Sequence, residues 1–181
     1  MAWIAPMTAV ANSVFTAAQF NAHVRDNLNE TAAAKATSAG RIFVATGPNA
    51  LAERQVGSAT VTNAQTTTST LWTDLSTVGP TVTITTGTTV IVALSCLMSV
   101  SAAGSNSQMG VAVSGASTIA ANTDDAVIAE SSAANDLYQV SYVFPITGLT
   151  AGTNTFTAKY QVGISGTGSF SRRRIVVFPF G

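Results

Sequence analysis

Side chains able to do chemistry are scarce in this chain. Its 181 residues include eight Lys or Arg, eight Asp or Glu, one His and one Cys. Four of the ionisable groups, His23, Arg25, Asp26 and Glu30, fall within eight positions of "TAAQFNAHVRDNLNE", Thr16 to Glu30. A zinc-type centre needs two to four converging His, Cys, Asp or Glu ligands. His23 has Asp26 at i+3, no acid at i+4, and Cys96 only in a distant region, so the segment reads as a solvated or docking face. A Ser-His-Asp arrangement would need the same histidine, and no G-x-S-x-G turn accompanies it. Cys-His chemistry would need Cys96 as an exposed thiolate, but Leu94, Leu97 and Val100 around it predict a buried thiol. Asp124, Asp125 and Glu130 form an acidic cluster without the D-x-D-x-D-G pattern of a calcium loop, and read as a solvated loop. "SRRR", Ser171 to Arg174, is the sharpest basic feature. A strand places Arg172 and Arg174 on one face and Arg173 on the other. Nucleic-acid binders add further basic and stacking residues, whereas only Lys159 is available here, so these arginines read as edge or intersubunit groups. No phosphate loop, dinucleotide fingerprint or zinc pattern occurs, and "GISGTGS" reads as a turn. The chain is expected to be no enzyme and to carry no cofactor or metal.

Composition narrows the partners. Charged residues make up 9% and apolar residues 46%, against about 25% charged in ordinary soluble domains. A monomer so poor in charge would be weakly solvated, which predicts burial against other subunits or a larger assembly. Zero net charge exerts no long-range pull on nucleic acid or anionic lipid. The longest apolar run, "VIVALSCLMSV", is interrupted by Ser95, Cys96 and Ser99, and is too short for a membrane-spanning helix of about 20 residues. No Lys or Arg precedes Arg25, so a signal peptide would lack its basic start, although "AVANS" imitates a cleavage site. A lone Cys permits no intrachain disulfide and suits a reducing cytoplasm.

These residues must be positioned by three kinds of segment. Residues 1 to 15 are an uncharged lead-in. Thr16 with Gln19 fits a capping box, and Phe15 with Phe20 a hydrophobic staple. Ala17, Phe20, Val24 and Leu28 then form an apolar stripe, and "TAAAKA" can prolong the helix to residue 39, where Gly40 ends it. "GRIFVATGPNALAERQVG" predicts a hairpin over 41–56 about "TGPNA". From about residue 60 the pattern is all-β, with strands in "TLWTDLST", "TVTITT", "TTVIVALSCLMSVS", "QMGVAVSG", "LYQVSYVFPITG", "TNTFTAKYQVGIS" and "SFSRRRIVVFPF". Phe156, Ala158, Tyr160 and Val162 alternate with Thr155, Thr157, Lys159 and Gln161, which marks a sheet with one buried side. Ser114 to Asn135 is the least regular stretch and reads as a crossover or exposed loop. The expected fold is mainly β: an anchor over 1–57, then an antiparallel, jelly-roll-like β-sandwich over 60–181.

Three stretches, in this order, resemble small virion structural proteins of tailed phages, especially those of actinobacterial hosts. "AWIAP…VFTAAQFNAHVRDNLNE" resembles their N-terminal segment, in which a Trp lead-in precedes a helix with Asn, Arg-Asp and Asn at Asn21, Arg25, Asp26 and Asn27. "AGRIFVATGPNALAERQVG" is similar to a hairpin that precedes head domains in phage fibre and decoration proteins. "LWTDLSTVGPTVTITTGTTVIVALS" with "LTAGTNTFTAKYQV" resembles the trimeric jelly-roll heads themselves. The resemblance implies a non-enzymatic virion component, assembled in the host cytoplasm as a homotrimer. Its N-terminal segment would hold the major capsid protein or another virion protein. Trp3, Phe15, Phe20, Asn21, Val24, Arg25, Asp26 and Leu28 would carry that anchoring, and Arg172 and Arg174 would lie between subunits. The lack of a long shaft favours a capsid decoration protein over a tail fibre. The competing expectation is a minor tail or tail-fibre-type protein whose head binds a receptor or glycan. Trp72, Tyr138 and Tyr142 would then line a sugar site, although their strand-like runs predict core positions.

Overall fold

The structure, a computed structural model, describes residues 4–180. Trp3 therefore lies outside the described residues. The chain divides into two compact units, one comprising the residues up to Gln55 with Phe180, the other Val56–Pro179.

In the first unit, α1 (Ala17–Phe20), a π-helical stretch (Asn21–Arg25) and α2 (Asp26–Leu28) follow one another directly. The expected continuous helix to residue 39 is not formed. A turn intervenes, Thr31 acts as a fresh N-cap by accepting from the Ala34 amide, and α3 runs only over Ala32–Lys35. The reason is local. The Thr31 hydroxyl also donates to the Leu28 carbonyl, so a Ser/Thr-type side-chain bond competes with the helical ladder. The hairpin pairs β1 (Ile42–Gly47) with β2 (Ala50–Arg54) antiparallel, and Asn49 takes the left-handed turn position at φ 55°.

The second unit is a sandwich of antiparallel sheets. One sheet has the order β3 (Gly57–Val61), β11 (Gly168–Pro179), β6 (Thr89–Val100), β9 (Tyr138–Thr147), with β4 (Gln65–Thr67) also pairing with β11. The other has the order β5 (Thr81–Thr86), β10 (Gly152–Val162), β7 (Asn106–Gly115), β8 (Ala126–Glu130). Successive strands mostly change sheet, which is the jelly-roll arrangement. The core is supplied by alternating residues of the long strands. Val90, Val92, Leu94, Cys96, Met98 and Val100 of β6 face Phe156, Ala158, Tyr160 and Val162 of β10, all buried. The expected alternation in β10 is thus the one that folds.

Two local expectations change. "TLWTDLST" is not a strand; it contributes a single bridge, Thr73 to Tyr160, and Leu75 alone of its large apolar residues is fully buried. Within Ser114 to Asn135, predicted as loop, Ala126–Glu130 forms the edge strand β8. It is only five residues long, too short for a clear period. Buried Asn154 organises the surrounding turns. Its amide donates to Thr86 Oγ1 and the Thr150 carbonyl, while its oxygen accepts from the Ser117 amide.

Candidate functional site

The N-terminal segment is built from the capping box upward. Gln19 N donates to Thr16 Oγ1 at 3.2 Å, and Thr16 N to Gln19 Oε1 at 2.9 Å. The Phe15 and Phe20 rings meet edge to face with centroids 6.1 Å apart. The lead-in is tied back by Asn27, which is buried. Ile4 N donates to Asn27 Oδ1 at 2.8 Å, and Asn27 Nδ2 donates to the Ile4 and His23 carbonyls at 2.9 and 3.1 Å. His23 Nδ1 lies 3.2 Å from the Ala5 carbonyl. Since a carbonyl only accepts, that nitrogen carries the proton. The single histidine is therefore spent on holding the lead-in.

The face that this unit covers for itself is thus His23 and Asn27, one helical turn apart. The expected packing stripe stays open: Phe20 is 49% and Leu28 60% exposed, Phe15 is exposed, and Asn21 and Val24 are half-buried. In a regular α-helix each four-residue step drifts by about 40° around the axis. The wider turn of the π-helical stretch takes back part of that drift between Phe20 and Leu28. Arg25 and Asp26 pair with each other at 2.7 Å, and the guanidinium holds the Asp26 carboxyl below its ordinary range. Val10 and Val14 of the lead-in are exposed as well. Among the anchoring residues expected from the sequence, then, those described are brought onto one segment, chiefly as open apolar surface. Asn27, which secures its shape, belongs to the stretch that carries the resemblance but is not among the expected anchoring residues. The signal available was its position one turn after His23.

Among the described residues no three His, Cys, Asp or Glu side chains converge. Cys96 is buried, and burial pushes its thiol up to about 12, so it is no nucleophile at neutral pH.

Arg172 and Arg174 are exposed and Arg173 is inside, as the strand pattern requires. A bulge between Ser171 and Arg174, with Arg172 at φ 49°, inserts one extra residue opposite β6. Arg173 was not expected as a site residue, yet it is fully buried. It donates to the Thr77, Gly79 and Asn63 carbonyls and to Gln65 Oε1 at 3.1–3.5 Å. Its guanidinium also stands 5.4 Å from the Tyr160 ring centroid. Counting back by two from Val177 and Ile175 reaches Arg173, which is the signal that could have found it.

The aromatic residues weighed for a sugar site are spread apart, and not all are core. Trp72 is half-buried on the outer face of the β5–β10–β7–β8 sheet, where a Cβ on Gly110 would stand 2.9 Å from its ring. Tyr138 is half-buried. Tyr142 is exposed and stacked on Phe144 with centroids 5.1 Å apart.

No protein-family model matches this chain, and no curated protein matches it. Solved structures with partial likeness include that of infectious bursal disease virus Gx strain (15% identity, 76% of this chain, 36% of that chain, TM-score 0.44). Another is the infectious bursal disease virus VP2 subviral particle (15% identity, 78% of this chain, 38% of that chain, TM-score 0.43). A third is dimeric latent PorU from Porphyromonas gingivalis (14% identity, 66% of this chain, 13% of that chain, TM-score 0.32). The chain spans less than two-fifths of the length of each of them. At TM-scores below 0.5 these likenesses bear on neither fold nor function.

Proposed function

We propose that this chain is a non-enzymatic structural protein of a phage particle, a capsid decoration protein that acts as a homotrimer. Its N-terminal segment fixes it to the major capsid protein or another virion protein, and its jelly-roll head projects outward. The observation that carries this reading is the open apolar surface of the N-terminal segment. Val10, Val14, Phe15, Phe20 and Leu28 are all exposed, while Asn27 and His23 are turned inward and hold its shape. Apolar groups exposed in such a cluster mark a binding surface. The order of segments that resembles phage virion proteins supports the same reading, as does the charge-poor composition.

Particle binding tests it. Purified protein should co-sediment with particles stripped of it, and Phe20→Asp with Leu28→Asp should abolish that binding while leaving the far-UV circular dichroism unchanged. Deletion of residues 2–40 should do the same. Unchanged attachment in either variant would sink the anchor assignment. The second reading, a tail module that binds a receptor or glycan, draws on the partly open Trp72 and Tyr142 rings. Saturable binding on a glycan array would favour it over decoration.

A further inference from the structure

We infer that the sandwiches associate side by side, the β8–β9 side of one copy receiving the β3–β11 side of the next. Arg174 of one copy lies between Glu130 and the Tyr142 ring of its neighbour. This names the contact surface of the homotrimer proposed above, and rests on that reading.

Charge placement is the first argument. Residues 56–179 hold five acids (Asp74, Asp124, Asp125, Glu130, Asp136) and four bases (Lys159, Arg172, Arg173, Arg174). Most are already used. Lys159 pairs with Asp74 at 2.7 Å, Asp125 bonds Asn122, Asp136 accepts from the Ala133 amide, and Arg173 is buried. Asp124, Glu130, Arg172 and Arg174 are exposed and make no ion pair among the described residues. The two cations flank the edge strand β3: Arg172 N donates to the Thr62 carbonyl and Arg174 Nε to Thr60 Oγ1. The two acids flank β8, at the other side of the sandwich. Opposite signs on opposite sides suit a head-to-tail contact that closes into a ring, whereas either side meeting itself would oppose like charges.

Register supplies the second argument. Thr60, Arg174, Ser95 and Ser141 form one rung across β3, β11, β6 and β9. Ser141 is also a wall of a groove of about 340 Å³ between β8 and β9, lined by Ala126, Val127, Ile128, Val140 and Tyr142. Arg174 and the groove wall at Ser141 therefore sit at one level, two strand spacings or about 10 Å apart. Rotation about an axis parallel to the strands preserves that level, so it carries the Arg174 side of one copy to the groove of the next. Glu130 lies two residues beyond Ile128, about 7 Å along the strand, within reach of a seated arginine.

The exposed surface is the third. β9 ends its sheet, has no strand partner other than β6 among the described residues, and carries no charged residue over its ten positions. Tyr142 is 43% and Val143 61% exposed on it. Long uncharged edges are normally covered or blunted by charge. A side of the sandwich, about 30 Å of strand by roughly 20 Å across both sheets, offers on the order of 600 Å². Each contact in a ring pairs one such side from either copy, about 1,200 Å² in total, at the lower end of the standard interface range.

Sedimentation of the full-length protein at micromolar concentration tests the contact. The wild type should run as a trimer. Arg174→Glu or Glu130→Arg alone should weaken assembly by at least about tenfold, because each places like charges in contact, and the double variant should recover to within about threefold of wild type. Single variants that assemble normally, or a double variant no better than the worse single one, would overturn this contact and leave the trimer standing. A wild type in any stable state other than a trimer would instead overturn the trimer itself. If a reversal unfolds the chain, hydrogen exchange of wild-type β9 decides. Protection that rises with protein concentration is expected, and concentration-independent exchange overturns the proposal.

Discussion

Arg173 carries a positive charge into the interior, where no carboxylate among the described residues pairs with it. Neutral oxygens at 3.1–3.5 Å and the face of Tyr160 substitute for water. The same Gly79 carbonyl accepts from the Tyr160 hydroxyl at 2.7 Å, so the guanidinium ties the loop before β5 to β10 and β11. Its planar fork spreads donors over separated acceptors, which a lysine ammonium cannot do. Arg173→Ala would leave a cavity and unpaired carbonyls, and should lower the unfolding free energy in urea by about 3 kcal/mol. Arg173→Lys should not restore it. Arg174→Ala, on the surface, should change it by less than about 0.5 kcal/mol when both are compared in solution dilute enough that neither assembles. The three arginines adjoin in sequence but divide into one structural and two surface groups, because a pleated strand turns neighbours to opposite sides.

At the scale of elements, the N-terminal helix owes its shape to bonds that are not helical. Two hydrogen bonds between Asn27 and Ile4 hold the lead-in against α2, each contributing on the order of 1 kcal/mol net. Asn27→Ala should therefore raise amide exchange at Ile4 at least about tenfold, with the urea midpoint of the sandwich unchanged. If Ile4 exchanged as slowly as in the wild type, Asn27 would not be the clasp. The start of this helix was legible because a capping box and a staple are local signatures. Its end was not. Ala32–Lys35 has high helical propensity, but propensity alone adds only tenths of a kcal/mol per residue. The competing Thr31 side-chain bonds are enough to interrupt it. The long strands β6 and β10 were readable for the opposite reason, since ten or more residues of strict alternation leave one possible inward face. β3, β4 and β8, of five residues or fewer, join the sheets because long neighbours offer them an edge.

For the molecule as a whole, the two sheets bury Cys96 from β6 and Tyr160 from β10 between them. Burial raises both groups, the thiol from 9.0 to about 12 and the phenol above its usual 10.0, with Arg173 opposing the shift in each case. A raised native pKa means stability that is fully present below the unfolded value and lost as pH climbs towards the native one. Between about pH 9 and pH 12 the unfolded thiol has released a proton that the native thiol keeps. Cys96 alone should thus lower stability by about 1.4 kcal/mol per pH unit across that window. Ionisation requires water between the sheets, so the loss should appear as one cooperative transition of the sandwich. Urea titrations from pH 8 to pH 11 should show a shallower alkaline decline in Cys96→Ala than in the wild type. Equal slopes would mean that the thiol does not contribute.

The amino-acid order alone settled the fold class, the capped helix start, the hairpin and the inward faces of the long strands. All of these depend on periods and caps that act over a few residues. It also limited the chemistry, because one His and one Cys in separate regions leave little to assemble. Tertiary structure decided which strands are neighbours, that Arg173 is enclosed while Arg172 and Arg174 are not paired, and that Arg174 shares a level with the β8–β9 groove. It also turned His23 and Asn27 inward and left Phe20 and Leu28 open. Those outcomes depend on strand pairing across tens of residues and on competition between faces for burial. Neither is encoded in spacing along a single segment.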